Sequence, residues 1–201
     1  MNVEQEPPFV AGRPLVSAAL AWAARMHLGQ SRDVDDAPFI LHPVEVAALL
    51  SGRGWDEHVI AAGLLHDAVE NTDVEVEDIR ERFGDRVADI VATVTEDETI
   101  EDYVERKAAL REHVARSGPD ALAVYAADKL VKTRELRAQA ASSDHVLDDP
   151  ALRRRLEHYE RSLAMLQEEA ADLAFVQQLA FELWALRMLP PRGAHPAPAT
   201  V

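Results

Sequence analysis

Residues 56–70 read DEHVIAAGLLHDAVE, and the stretch 59–65 at their centre carries no polar side chain. Asp56 supplies an N-cap, and the segment predicts a helix over 56–70. A helix that is apolar on every side has no face for water, so it must be buried among other elements. The rest of the chain offers those elements. In 15–28, Leu15, Ala19, Trp22, Ala23 and Met26 recur at spacings of three and four, the pattern of an apolar stripe facing a core. A second helix is expected over 42–50, with Pro43 in its first turn where proline is tolerated. Thr72 and Glu75 predict a capping box for a helix over 73–83, which Gly84 ends. Further helices are expected at 85–94, 101–116 and 119–140. The pattern over 149–188 breaks near Ala170 into two pieces. No internal repeat stands out, and DIVATVT is too short to separate helix from strand. The expected fold class is all-α, a compact helical bundle. Its expected organisation is a flexible N-terminus over 1–14, a domain over 15–140, a helical extension over 141–189, and a proline-rich disordered tail over 190–201.

The 201 residues carry 36 acidic against 21 basic side chains, a net charge of −15. So negative a chain repels nucleic acid and anionic lipid, and neither is expected as a partner. An anionic small molecule would need a local positive centre, such as a metal ion. There is no cysteine, which excludes disulfides and thiolate sites. MNVEQEPPFV lacks the basic-then-apolar order of a signal peptide, and no apolar run approaches the ~20 residues that span a bilayer. A soluble protein of the cytoplasm is expected.

The buried segment also carries His66, Asp67, Glu70 and Asn71. On a helix these spacings place all four along one edge. An ionised carboxylate emerging from a buried helix is costly unless something positive compensates it. A divalent cation held by imidazole and carboxylate would do so. Two other residues fit that demand. His42 opens a helix and either reaches across to the third helix or bonds backbone. Asp128 sits among Leu122, Tyr125, Ala126 and Leu130, as a ligand or as a partner of Lys129 or Arg134. Two imidazoles and two carboxylates suit Mn²⁺, Fe²⁺ or Mg²⁺ better than a structural zinc.

The order of these residues resembles the HD-domain phosphohydrolases, and within them the hydrolase domain of RelA/SpoT-type enzymes and the small alarmone hydrolases. The motifs are HLGQSR at 27–32, PFILHP at 38–43, AAGLLHDAVENT at 61–72, FGDRV at 83–87, VTEDET at 94–99 and AADKL at 126–130. The resemblance implies a helical bundle of the HD-domain type over 15–140, with Mn²⁺ held by His42, His66, Asp67 and Asp128. It implies removal of the 3′-pyrophosphate of guanosine tetra- or pentaphosphate, a phosphorylated nucleotide, by a metal-activated water. Glu70 would orient that water or carry its proton, unless it is an ordinary helix-end acid. Arg32 would face phosphate, unless it is a solvated loop charge; Lys129 and Lys132 would add positive charge.

Four positions depart from the family's pattern. Asn71 replaces the second member of an acidic pair and serves as water holder or left-handed helix cap. Asp33 and Glu98 stand where basic residues are common, and Lys132 where asparagine is usual. These departures keep two other readings open: an HD phosphohydrolase acting on another nucleotide, such as NADPH or a nucleoside monophosphate, or a catalytically weakened nucleotide-binding module. The run TEDETIEDYVE is expected to be a solvated acidic face. The C-terminal helices are expected to extend the bundle, with a homo-oligomer contact or a lid as alternatives.

Overall fold

A computed structural model describes residues 7–142 and 149–188. Among these the chain is all-α, with a single isolated bridge between Ser31 and Pro38. The helices are α1 (Pro14–Met26), α2 (Leu41–Gly52), α3 (Glu57–Leu65), α4 (Ala68–Asn71), α5 (Val76–Phe83), α6 (Asp85–Val94), α7 (Tyr103–Ala115), α8 (Pro119–Ser142), α9 (Pro150–Glu169) and α10 (Ala174–Arg187). None of the described helices is long and apolar enough to cross a membrane. The expected tail over 190–201 lies outside the described residues. So do residues 1–6 of the expected flexible N-terminus, whereas Pro8–Val10 form a 3₁₀ turn with Val10 buried.

The wholly apolar helix is the axis of the bundle. Every residue of α3 from Val59 to Leu65 is buried, and α1, α2, α6 and α8 surround it. Each fully buried Val, Ile or Leu there stabilises the fold by about 1.5–3 kcal/mol. Asp56 is its N-cap as expected, accepting from the backbone N–H groups of His58 at 2.9 Å and Val59 at 3.4 Å.

Gly63 has a packing reason for being a helix-interior glycine. A Cβ there would lie 2.5 Å from Leu50 Cδ1 and 3.4 Å from Val46 Cγ1. Leu50 is itself fully buried, so it has no free space into which to retreat. Gly63→Ala is therefore expected to destabilise the protein by about 1–3 kcal/mol. The check is urea unfolding, with a lower midpoint at unchanged slope.

Two expectations at helix ends are corrected. The helix expected over 56–70 breaks at His66–Asp67 into α3 and α4. The His66 ring takes the Gly63 carbonyl at 2.8 Å, and Asp67 adopts φ −93°, ψ 0°, at the rim of the helical basin. The capping box is formed by Glu75 and Asp78 rather than Thr72 and Glu75. Thr72 is engaged one turn earlier, its hydroxyl donating to the Ala68 carbonyl at 2.7 Å. Gly84 does end α5, at φ +86°.

The long C-terminal pattern breaks at Ala170 as read. α9 packs on α7 and α8, and α10 packs on α8 and α9. Phe175, Leu179, Leu183 and Leu186 of α10 are buried, and Glu182 bridges Arg134 at 3.1 Å and Arg137 at 2.6 Å. Phe181, Trp184 and Met188 face outward.

Candidate metal centre

His42 enters from the first turn of α2, His66 and Asp67 from the break between α3 and α4, and Asp128 from the middle of α8. All four are buried. The structure brings His42, His66 and Asp128 together as a group able to hold a metal ion, with Asp67 beside the two imidazoles. His42 Nε2 lies 3.3 Å from His66 Nε2, 3.2 Å from Asp128 Oδ1 and 3.3 Å from Asp67 Oδ2. His66 Nε2 lies 3.3 Å from Asp67 Oδ2 and 3.5 Å from Asp128 Oδ1.

The opposite edge of each ring decides what Nε2 offers. His66 Nδ1 must donate to the Gly63 carbonyl, and His42 Nδ1 faces Glu135 Oε1 at 3.2 Å. Each neutral ring is then protonated at Nδ1, and each Nε2 turns a lone pair toward the other. Two facing lone pairs do not bond one another, and the buried Asp67 Oδ2 beside them finds no hydrogen-bond partner. Such a donor set fits a divalent cation, with Glu135 as the outer carboxylate that fixes the ring of His42.

Electrostatics make the same demand. Burial opposes ionisation of Asp67 and Asp128, yet nearby cationic groups hold both well below the usual carboxylate range. For Asp67 these are chiefly His66 and Lys132; for Asp128 they are Lys129 and Lys132. Burial works against charge on His66 as well, but Asp67 and Asp128 outweigh it and raise the imidazole to about 10. The centre needs positive charge, and protons and a metal ion compete to supply it.

Lys129 Nζ lies 2.6 Å from Asp128 Oδ2, while Lys132 Nζ lies 3.0 Å from Asp128 Oδ1 and 3.4 Å from Asp67 Oδ1. Of the two basic partners weighed for Asp128, Lys129 is engaged and Arg134 turns to Glu182 instead. Glu70 accepts the Glu96 backbone N–H at 2.8 Å. Burial and the nearby Asp67 raise its carboxyl above the usual range.

Asn71 is exposed and closes α4 as its last helical residue. It is not a left-handed cap, because Thr72 takes the cap position at φ −144°. Its main-chain carbonyl accepts from Gln30 Nε2 at 2.7 Å. Arg32 is turned into acidic company: Asp35, Glu45 at 3.4 Å and Glu135 at 3.2 Å. Glu98 is exposed. The acidic run containing it is not wholly a solvated face, because Glu96 turns inward to Arg106 and Lys107.

A cavity of about 560 Å³ opens over the cluster, with Arg32, His42, Asp67, Glu70, Asn71, Lys129 and Lys132 among its lining residues. The part of its wall that comes from α7 and α9 brings Tyr103, Lys107, Arg155, His158 and Tyr159. Sequence reasoning passed over these. The one signal available was the run RRRLEHYERS, dense in arginine within so acidic a chain.

An all-α bundle that gathers two histidines and two aspartates beneath a polar cavity defines a helical domain with a candidate metal centre. The family model described as HD domain matches residues 19–149, and the chain belongs to that family. It is 40% identical over 126 residues to guanosine-3′,5′-bis(diphosphate) 3′-pyrophosphohydrolase MESH1 of Xenopus tropicalis, covering 61% of this chain and 70% of that protein. Human MESH1 is 40% identical over 121 residues, covering 59% of this chain and 67% of the relative. A solved structure described as a metazoan orthologue of SpoT that hydrolyses ppGpp superposes with a TM-score of 0.73. Its identity is 28%, with coverage of 92% of this chain and 99% of the other.

Proposed function

We propose that this protein is a metal-dependent hydrolase that removes the 3′-pyrophosphate of guanosine tetra- or pentaphosphate. Pyrophosphate and GDP or GTP are the products. The observation that carries this reading is the pair of imidazole Nε2 atoms 3.3 Å apart, with Asp67 and Asp128 closing the same point. The MESH1 relatives give the substrate class. Mn²⁺ is the proposed ion, since two nitrogen and two carboxylate donors suit a borderline-to-hard cation. When bound, the ion supplies Lewis-acid neutralisation of phosphoryl charge and lowers the pKa of a coordinated water.

The chain's own residues do the rest. His42, His66, Asp67 and Asp128 hold the ion. Water oxygen bonds to the phosphorus carried on ribose O3′, the P–O3′ bond breaks, and O3′ takes up a proton. Glu70, raised by burial and Asp67, is suited to accept the water's proton. Asn71 can hold a water by hydrogen bond but cannot take its proton. Lys129 and Lys132 place ammonium groups on the cavity wall, where they oppose charge on the substrate.

The test is a panel of ppGpp, NADPH and nucleoside monophosphates with purified protein and Mn²⁺. Release of pyrophosphate from ppGpp at a kcat/KM well above the others is expected. Preferential orthophosphate release from NADPH or a monophosphate would overturn the substrate assignment. Glu135→Gln is expected to weaken metal affinity or activity by about 10–100-fold through the loosened ring of His42, measured by metal titration.

A further inference from the structure

His158 of α9 plays no part in the reading above, yet its chemistry is unusual. The ring is 4% exposed and lines the main cavity. Its Nδ1 lies 2.7 Å from a guanidinium nitrogen of Arg111 on α7. A guanidinium has no lone pair to offer, so Nδ1 is the acceptor and the ring proton sits on Nε2. Burial holds the imidazole neutral, well below its ordinary pKa, with Lys129, Lys107 and Arg111 acting in the same direction. The result is a buried N–H donor with one fixed tautomer and no protein acceptor for Nε2.

The neighbourhood selects an anion. Arg111 is bonded to His158 and has Tyr125, Tyr103 and Arg161 as its charged or polar company, and Arg155 shares the main cavity with His158. A small cleft joins Arg111, Arg154 and Arg161 to His158, Tyr103 and Lys107, and the last three also line the main cavity. The carboxylates in range are Glu96, engaged with Arg106 and Lys107, Glu157 in the cleft, Asp128, which is held by Lys129 and Lys132, and Glu70, which accepts the Glu96 backbone N–H. On the opposite side Arg32, which the family resemblance implies faces phosphate, is held by three carboxylates.

We propose that His158 donates from Nε2 to a phosphate oxygen of the substrate's 5′-diphosphate, with Arg111 as the positioning residue that fixes its ring and tautomer. This rests on the bis-diphosphate reading above: the 3′-pyrophosphate occupies the histidine–aspartate cluster, so the 5′ group must meet another wall. The α7–α9 wall offers cations and a pre-oriented donor. A neutral donor adds recognition there without another repulsive charge among the lysines.

The experiment compares wild type, His158→Ala, His158→Gln and Arg111→Gln on ppGpp and on guanosine 3′-diphosphate, which lacks 5′-phosphates. GDP binding is measured by calorimetry alongside. His158→Ala is expected to raise KM for ppGpp about 10-fold, the scale of a hydrogen bond to a charged group, at near-constant kcat. It should leave the truncated substrate unchanged. Glutamine offers an acceptor to Arg111 and a donor to phosphate, so His158→Gln is expected to restore most of the loss. Arg111→Gln should raise KM in the same direction and serves if His158→Ala does not fold. Equal effects on both substrates, or no change in KM or GDP affinity, would overturn the proposal. If wild type does not hydrolyse ppGpp while GDP affinity still depends on His158, the hydrolase reading fails and the subsite stands.

Discussion

Asp67→Asn is expected to lower ppGpp hydrolysis on the order of 10³-fold or more while leaving the helical bundle folded. The substitution is nearly isosteric, so it changes charge rather than shape at a buried position. Asp67 Oδ2 stands 3.3 Å from both imidazole Nε2 atoms and bonds to nothing else. An amide there either presents a weaker neutral oxygen or turns N–H groups toward the imidazole lone pairs, where the cation belongs. Both outcomes remove the anionic oxygen that, on the proposed reading, makes the point attractive to a divalent ion. Lys132, 3.4 Å from Asp67 Oδ1, would keep only Asp128 as a close carboxylate.

Two readouts separate loss of metal from loss of fold. In wild type, Mn²⁺, the proposed ion, is expected at 100 times its Kd to stabilise by about 2.7 kcal/mol and to raise the melting temperature by several degrees. In Asp67→Asn that rise should vanish, with a cooperative unfolding transition still present. A variant that keeps activity within about threefold of wild type would remove the four-residue cluster from the mechanism.

How much of this could be read from the chain alone differs element by element. The bounds of α6 were legible because Gly84 stops one helix and the apolar spacing starts the next. The buried character of α3 was legible because no polar side chain interrupts 59–65. Its break was not, since 56–70 is locally a continuous helical pattern. The break comes from the His66 ring taking the Gly63 carbonyl, which turns Nε2 toward His42 and Asp128, a tertiary requirement with no local signature. The convergence of His42, Asp67 and Asp128 was implied by the family resemblance; the residues alone left His42 open to a backbone bond and Asp128 to an ion pair with Lys129 or Arg134. The α7–α9 wall was not: Arg111 and His158 are 47 residues apart, and only the packing of the two helices makes them neighbours. Arg32 reads as a free cation in sequence because Glu45 and Glu135, on other helices, approach it only in the fold.

The second large effect falls on proton transfer. Glu70→Gln is expected to reduce kcat by about 10²–10⁴-fold with little change in metal affinity. The amide retains an oxygen that can accept the Glu96 backbone N–H, now at 2.8 Å, so the loop at 96 keeps its anchor. What disappears is the group that can take a proton. Asn71→Asp tests the same step from the other side. The side chain of Asn71 is exposed, and its one bond across the fold, from Gln30, is made by the main-chain carbonyl, so the substitution adds a carboxylate without disturbing packing. Burial and Asp67 already raise Glu70 above the ordinary carboxylate range; if it is the proton acceptor, as proposed, Asn71→Asp should shift kcat by no more than about threefold. Single-turnover rates at saturating Mn²⁺ measure both variants. A tenfold or larger gain from Asn71→Asp beside a near-silent Glu70→Gln would invert the assignment: proton transfer would run through position 71, and Glu70 would be the anchor of the Glu96 loop alone.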